Sequence, residues 1–313
     1  MAASSEYVLG AVLEGLTKTC AELVIEIRLL REAMERRGTD GVALADGGDG
    51  SAVGPEQDAV RACPEALDSE LEQEDAGGLP EPGDLVKRWL EGHGLQVLKH
   101  STFNDQDRTL LPLALELGDH FDELRPLHDA IRASLASGRP FSVSLGRLTG
   151  QGISRCCQWA EKLGARGLLL EPRYNKHNRT LRARPQVSGM AQNFFTGRWF
   201  ELYVMSKIES YLTEMGHTHD LLANPGIVLP NGQDRELDLF WLVGDSPLWV
   251  ECKTGSYSDH LERFRLLRSM MQVPPERAIL CILDIPTQVA LDNRRLWNLM
   301  VTDRQGLLDV VAA

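Results

Sequence analysis

The chain runs to 313 residues, 43% of them hydrophobic, enough for one or two packed domains and some dispensable sequence. It holds no apolar run near the roughly 20 residues that cross a bilayer. Its six cysteines (Cys20, Cys63, Cys156, Cys157, Cys252, Cys281) form no CxxC pair and no zinc-ligand spacing, and its start, MAASSEYVLG, lacks the basic and apolar parts of a secretory signal.

A cytoplasmic protein with reduced thiols and no membrane partner is expected. The net charge of −12 is local. Residues 39–84 hold thirteen Asp and Glu against one Arg, and the rest of the chain has 32 acidic and 32 basic residues. The acidity therefore does not exclude a nucleic-acid partner for the folded parts.

The first expected element is a helix over residues 5–37, stopped by Gly38. Leu9, Leu13, Leu16, Cys20, Leu23, Ile27, Leu30 and Met34 alternate spacings of four and three, the seam of a coiled coil. Gly10 and Gly15 weaken its first turns. The alternative is an amphipathic helix packed on its own protein. The segment that follows detaches it from any neighbour, so residues 1–38 are expected to pair with a copy of themselves, giving a homodimer or higher homo-oligomer.

Residues 39–84 are rich in Gly, Ala, Pro and acid and contain no aromatic residue. Such a stretch buries too little apolar surface to offset its ordering entropy, and reads as a disordered acidic linker. A competing reading has the acid mimic nucleic acid and shield a basic site in cis.

Residues 85–185 are expected to be a compact, mostly helical domain. LVKRWLEGHG is a short helix, and LPLALELGDHFDELRPLHDAIRASLASG is one or two more. ISRCCQWAEKLG reads as a helix, after which RGLLLEPRY and RTLRARP form strands around a turn at Asn175, Lys176, His177 and Asn178. A helix followed by a basic hairpin is how a winged helix ends. Residues 151–185 carry eight Arg and Lys against two Glu, so nucleic-acid contact is expected here through Arg173, Lys176, Arg179 and Arg182.

Residues 194–215 predict a helix whose apolar stripe (Val204, Met205, Ile208, Tyr211, Leu212, Met215) runs backwards through Glu201 and Gly197. A carboxylate on a buried face is costly unless paired or bound to metal; Gly197 leaves room for a close backbone. RELDLFWLV predicts a strand in which Glu236, Asp238, Phe240 and Leu242 share a face. A turn at residues 244–247 reverses the chain into PLWVECK, placing Asp238 near Glu251, with Glu251 and Lys253 on one face. Glu201, Asp238 and Glu251 converge with one lysine in this reading, a set that repels itself unless a cation such as Mg²⁺ or Mn²⁺ sits among them.

Asp238, a twelve-residue interval and then Glu251–Cys252–Lys253 resemble the PD-(D/E)xK nuclease signature, with Glu201 as the acid of the preceding helix. More specifically, FFTGRWFELYVMSKIE, RELDLFWLV and LWVECKTG, in this order, resemble the nuclease domain of the CRISPR-ancillary CARF nucleases (the DUF1887 group), over about residues 190–285. Leu237 stands where the signature has Pro. No stretch reads as the sensor domain of that family, so activation by cyclic oligoadenylate is not carried over.

The resemblance implies a restriction-endonuclease-like domain over 186–313 in a multidomain α+β or α/β chain. It implies Mg²⁺ or Mn²⁺ held by Asp238, Glu251 and the Cys252 carbonyl, with Glu201 ligating directly or through water, and Lys253 orienting water or the scissile phosphate of DNA or RNA. It also implies a role in phage defence or nucleic-acid processing. Beyond the site, Arg265 and Arg268 stand one turn apart on a following helix and offer a grip on a phosphate backbone. The rival reading is a non-catalytic nucleic-acid-binding protein that keeps the nuclease fold as scaffold.

Overall fold

The computed structural model describes residues 81–101 and 103–313. The coiled coil and nearly all of the linker lie outside them. The last linker residues, 81–84, are built into the fold. Asp84 opens helix α1 (Asp84–Gly92), and its free N–H groups are capped from a distance: the Asp220 carboxylate accepts from Gly83 N (2.6 Å), Leu85 N (2.9 Å) and Val86 N (3.2 Å).

After α1 come β1 (Gln96–Ser101), α2 (Asp105–Asp119), α3 (Phe121–Leu135), β2 (Phe141–Ser144), α4 (Gly150–Ala165), β3 (Leu169–Asn175) and β4 (Thr180–Pro185). A short helix α5 (Gly189–Asn193) and one π turn (Phe194–Arg198) lead into α6 (Trp199–Glu214). The rest is β5 (His219–Val228), β6 (Asp234–Glu236), β7 (Leu239–Val243), β8 (Ser246–Lys253), α7 (Ser258–Met270), β9 (Ala278–Ile282), α8 (Thr287–Trp297), β10 (Met300–Thr302) and α9 (Leu307–Ala312).

Two sheets form among the described residues. The small one is antiparallel, in the order β2-β4-β3, and packs through Leu181 and Ala183 into a core shared with α3 and α4. The large one is mixed, with seven strands in the order β1-β5-β7-β8-β9-β10 and β6 also on β5. The β5-β7-β8 part is antiparallel, whereas β8-β9-β10 is parallel. Alternation along these strands sends Leu239, Trp241, Leu248, Val250, Cys252, Ile279 and Cys281 to the face covered by α6. Phe240, Leu242, Trp249, Ala278, Leu280 and Ile282 go to the other face, where α1 and α7 pack.

The division expected at 185/186 does not mark a break in packing. β1, which reads locally as part of the preceding domain, pairs with β5, and one continuous core joins α2, α3 and α4 to α6. Strand partners a hundred or more residues apart leave no local trace in sequence. Two further expectations change. Met215 is 58% exposed rather than part of the buried stripe. The strand read as unbroken from Arg235 is divided into β6 and β7, because the ladder with β5 is interrupted opposite Leu237 and Asp238, although its register runs on unchanged. Asn224 takes a left-handed φ of 50° and Pro225 has no N–H to give the ladder. Across the gap, Asn224 N donates to Asp238 O (2.8 Å) and Leu237 N to Pro225 O (3.1 Å).

Candidate active site

The hairpin β7–β8 turns on Gly244 and Asp245, with Gly244 at φ 56° and Val243 paired to Ser246. This short turn sets the register Leu239↔Val250, which puts Asp238 opposite Glu251 one step further on. The two acids interlock. Asp238 N donates to Glu251 Oε1 (3.2 Å), and Cys252 N donates to Asp238 Oδ2 (2.7 Å). Trp249 Nε1 also donates to Glu251 Oε1 (3.3 Å).

Lys253 reaches both carboxylates, Glu251 Oε2 at 3.1 Å and Asp238 Oδ2 at 3.3 Å. The side chains of Asp238, Glu251 and Lys253 are only 15%, 13% and 22% exposed. Burial first, and then the charge of Glu251, push the Asp238 carboxyl up to about 7. Burial would lower the Lys253 ammonium, but the charges of Glu251 and Asp238 outweigh it and hold that group above the ordinary lysine value.

Asp238, Glu251 and Lys253 line a cavity of about 140 Å³ on the α7 face of the large sheet. Glu236, His260 and Arg263 line it too, over an apolar floor that includes Trp249 and Phe264. Glu236 was legible as the same-face neighbour of Asp238. His260 and Arg263 come from α7 and had no signal beyond their charge. Burial, then Lys253 and Arg263, hold the His260 imidazole below its usual value.

Glu201 does not join this group. It sits on α6, against the opposite face of the sheet, and its Oε2 accepts from Arg198 Nη1 (2.8 Å) and Asn224 Nδ2 (3.1 Å). Arg198 is in turn gripped two-pronged by Asp107, Nε to Oδ1 at 3.0 Å and Nη2 to Oδ2 at 2.7 Å. Burial opposes the Arg198 charge, yet Asp107 and Glu201 hold its guanidinium above the ordinary value. Sequence reasoning missed Arg198, Asp107 and Asn224. The Arg198–x–x–Glu201 spacing was a usable signal, while Asp107, 91 residues away, gave none. Among the described residues no group of three or more His, Cys, Asp or Glu side chains is arranged to hold a metal ion. At Gly197 no backbone comes close: an added Cβ would meet Glu201 Oε1 at 4.0 Å, an ordinary contact.

The basic positions separate in the same way. Arg173 and Arg182 face each other in register across β3–β4, and with Arg184 they line one hollow on the outer face of the small sheet. Lys176 and Arg179 are exposed at the hairpin turn. Arg268 is occupied in closing α7, donating to Val273 O (3.0 Å) and Ser269 Oγ (3.3 Å). Neither it nor Arg265 is among the residues lining the acid cavity, where Arg263 is the α7 arginine.

No protein-family model matches the chain, and no curated protein matches it. Two solved structures share its fold with a TM-score of 0.51: protein VC1899 from Vibrio cholerae, at 19% identity, and Can2 from Sulfobacillus thermosulfidooxidans in complex with cyclic tetra-adenylate, at 17%. Each likeness covers 72% of this chain and 59% of the other, so the chain spans about three-fifths of the length of those proteins. At such identity the fold is what is shared.

Proposed function

We propose that this protein is a metal-dependent nuclease, hydrolysing phosphodiester bonds of DNA or RNA at the Asp238–Glu251–Lys253 site. The observation that carries the reading is the apposition of two mostly buried carboxylates, interlocked by hydrogen bonds, with a lysine bridging them in the lining of a cavity. The sequence resemblance to the CARF nucleases and the fold shared with Can2 and VC1899 support it. A role in phage defence or nucleic-acid processing rests on that resemblance.

The residues fit a divalent cation. Burial first, and then repulsion from Glu251, raise the Asp238 carboxyl, and an oxygen-binding ion such as Mg²⁺ or Mn²⁺ relieves that repulsion. Asp238 and Glu251 would hold it. In an extended strand a residue's N–H and C=O point to the same neighbour. The Cys252 N–H faces Asp238, so its carbonyl is directed to that side as a third oxygen. When bound, such an ion supplies Lewis acidity, lowering the pKa of water and offsetting charge that builds on the phosphate. Lys253 holds the acid pair in register and offers its ammonium to the attacking water or a phosphate oxygen. His260 and Arg263 also line the cavity, and Arg263 adds positive charge for a phosphate. The α4 helix and the β3–β4 hairpin serve as a winged element whose arginines grip the nucleic-acid backbone.

Labelled single-stranded DNA, single-stranded RNA and plasmid, each with Mg²⁺, Mn²⁺ or EDTA, test the reading. Cutting is expected only with metal, and Glu251→Ala or Asp238→Asn should lower it at least 100-fold, a loss of roughly 3 kcal/mol of transition-state stabilisation, while binding persists. A wild type that binds every substrate but cuts none with any ion favours the binding-protein reading.

A further inference from the structure

We infer that Glu201 is a positioning residue for Asp238, acting with Arg198 and Asn224, and is not a ligand of the catalytic cation. The inference rests on the nuclease reading of the Asp238–Glu251 site and specifies how that site is held.

Four polar side chains form an unbroken path from α2 to the acid strand. Asp107 on α2 grips Arg198 at the end of the π turn, Arg198 donates to Glu201 on α6, and Asn224 on β5 donates to Glu201. The Asn224 side-chain carbonyl also receives Arg198 Nη1. The last step is through the backbone, Asn224 N to Asp238 O at 2.8 Å. Asp107 and Arg198 are 4% and 8% exposed. Charges buried so far are tolerated only when every member is paired, and a paired network of this kind holds one geometry.

Asn224 is where that geometry matters. Its φ of 50° is one that Asn tolerates better than most residues, and it interrupts the β5–β7 ladder beside Asp238. Glu201 and Arg198 together tie the Asn224 side chain to the start of α6. Glu201 also lies across the sheet from Glu251 and Lys253. It lines a separate cavity of about 280 Å³, in which Glu236 is the wall shared with the acid cavity. Its place in the fold is to hold the backbone that presents Asp238, as outer partners of metal-site residues do.

Mn²⁺ titration of the full chain by calorimetry decides between the roles, with cleavage measured alongside. Glu201→Ala and Asn224→Gly are each expected to weaken Mn²⁺ binding and kcat about tenfold or more. The double variant should be no worse than either single one, because both cut the same path. Glu201→Gln keeps the accepting oxygen and should restore Mn²⁺ affinity to within about threefold of wild type, whereas Glu251→Gln should stay at least tenfold weaker. Arg198→Lys, which leaves Asp107 paired, should fall between. A Glu201→Gln protein as impaired in Mn²⁺ binding as Glu251→Gln makes Glu201 a ligand and overturns the inference, as do strictly additive losses in Glu201→Ala and Asn224→Gly. A wild type that takes up no Mn²⁺ overturns the nuclease reading itself, and this inference with it.

Discussion

His128 shows at the scale of one residue how burial sets chemistry outside the site. It is fully buried on α3, between the rings of Phe121, Phe195 and Trp199, and burial lowers its pKa from 6.5 to about 4. The charged neighbours are few: Asp129, largely exposed, meets Nδ1 at 3.3 Å and favours the cation, while Arg132 opposes it. The fold thus prefers the neutral imidazole. Its contribution is fully present above the unfolded pKa and drains away as pH falls from 6.5 towards 4, by about 1.4 kcal/mol per unit. Urea unfolding at pH 7 and pH 5 is expected to show wild type losing about 2 kcal/mol more than His128→Leu. Parallel losses in the two proteins would remove this role. Asp238, shifted in the opposite sense, reports a site: its charge is opposed by burial and by a second acid, and the fold accepts both.

The β3–β4 hairpin is the element whose composition works against its own stability. Arg173 and Arg182 stand directly opposite one another, and the carboxylate nearest Arg173, that of Glu171, is 3.9 Å away and mostly exposed. Like charges in register destabilise a sheet by a few tenths of a kcal/mol, an arrangement that an anionic partner would relieve. Arg182→Thr is therefore expected to stabilise the protein by about 0.5 kcal/mol. It should also flatten the dependence of log K on log salt for nucleic-acid binding by about one unit. Filter binding from about 50 to 200 mM salt checks this, and an unchanged slope removes the hairpin from the interface. The hairpin was readable in sequence because two apolar–basic alternations flank a turn-rich run. The π turn ahead of α6 was not, since a helix stripe of period 3.6 looks the same with or without one extra residue at its start.

At the scale of the whole molecule, the large sheet separates two packed faces, and that separation assigns the roles. Residues that share a strand face, Glu251 with Lys253 and Glu236 with Asp238, arrive together at one cavity; Glu201, on the helix against the other face, does not. The seam of residues 1–38 belongs to this scale too, although it lies outside the described residues. Sedimentation of the full chain is expected to show a dimer or larger species, and deletion of residues 1–38 a monomer. A truncated protein that stays oligomeric would show that association comes from elsewhere. Among the described residues, no helix is long and apolar enough to cross a membrane.

What the sequence by itself determined are the features carried by short spacings. The alternation of Glu251 and Lys253, the tight turn at Gly244, and the pairing of Asp238 with Glu251 all follow from local periodicity, because a two-residue hairpin allows few registers. What only the tertiary structure decided are the contacts that close across long separations. These are β1 on β5, the Asp220 cap of α1, Arg263 rather than Arg265 or Arg268 at the cavity, and the Asp107–Arg198–Glu201–Asn224 path. A buried acid announces in sequence that it needs a partner. Which partner it meets depends on the face of the sheet against which its helix comes to rest, and that is set by the packing of the two cores together.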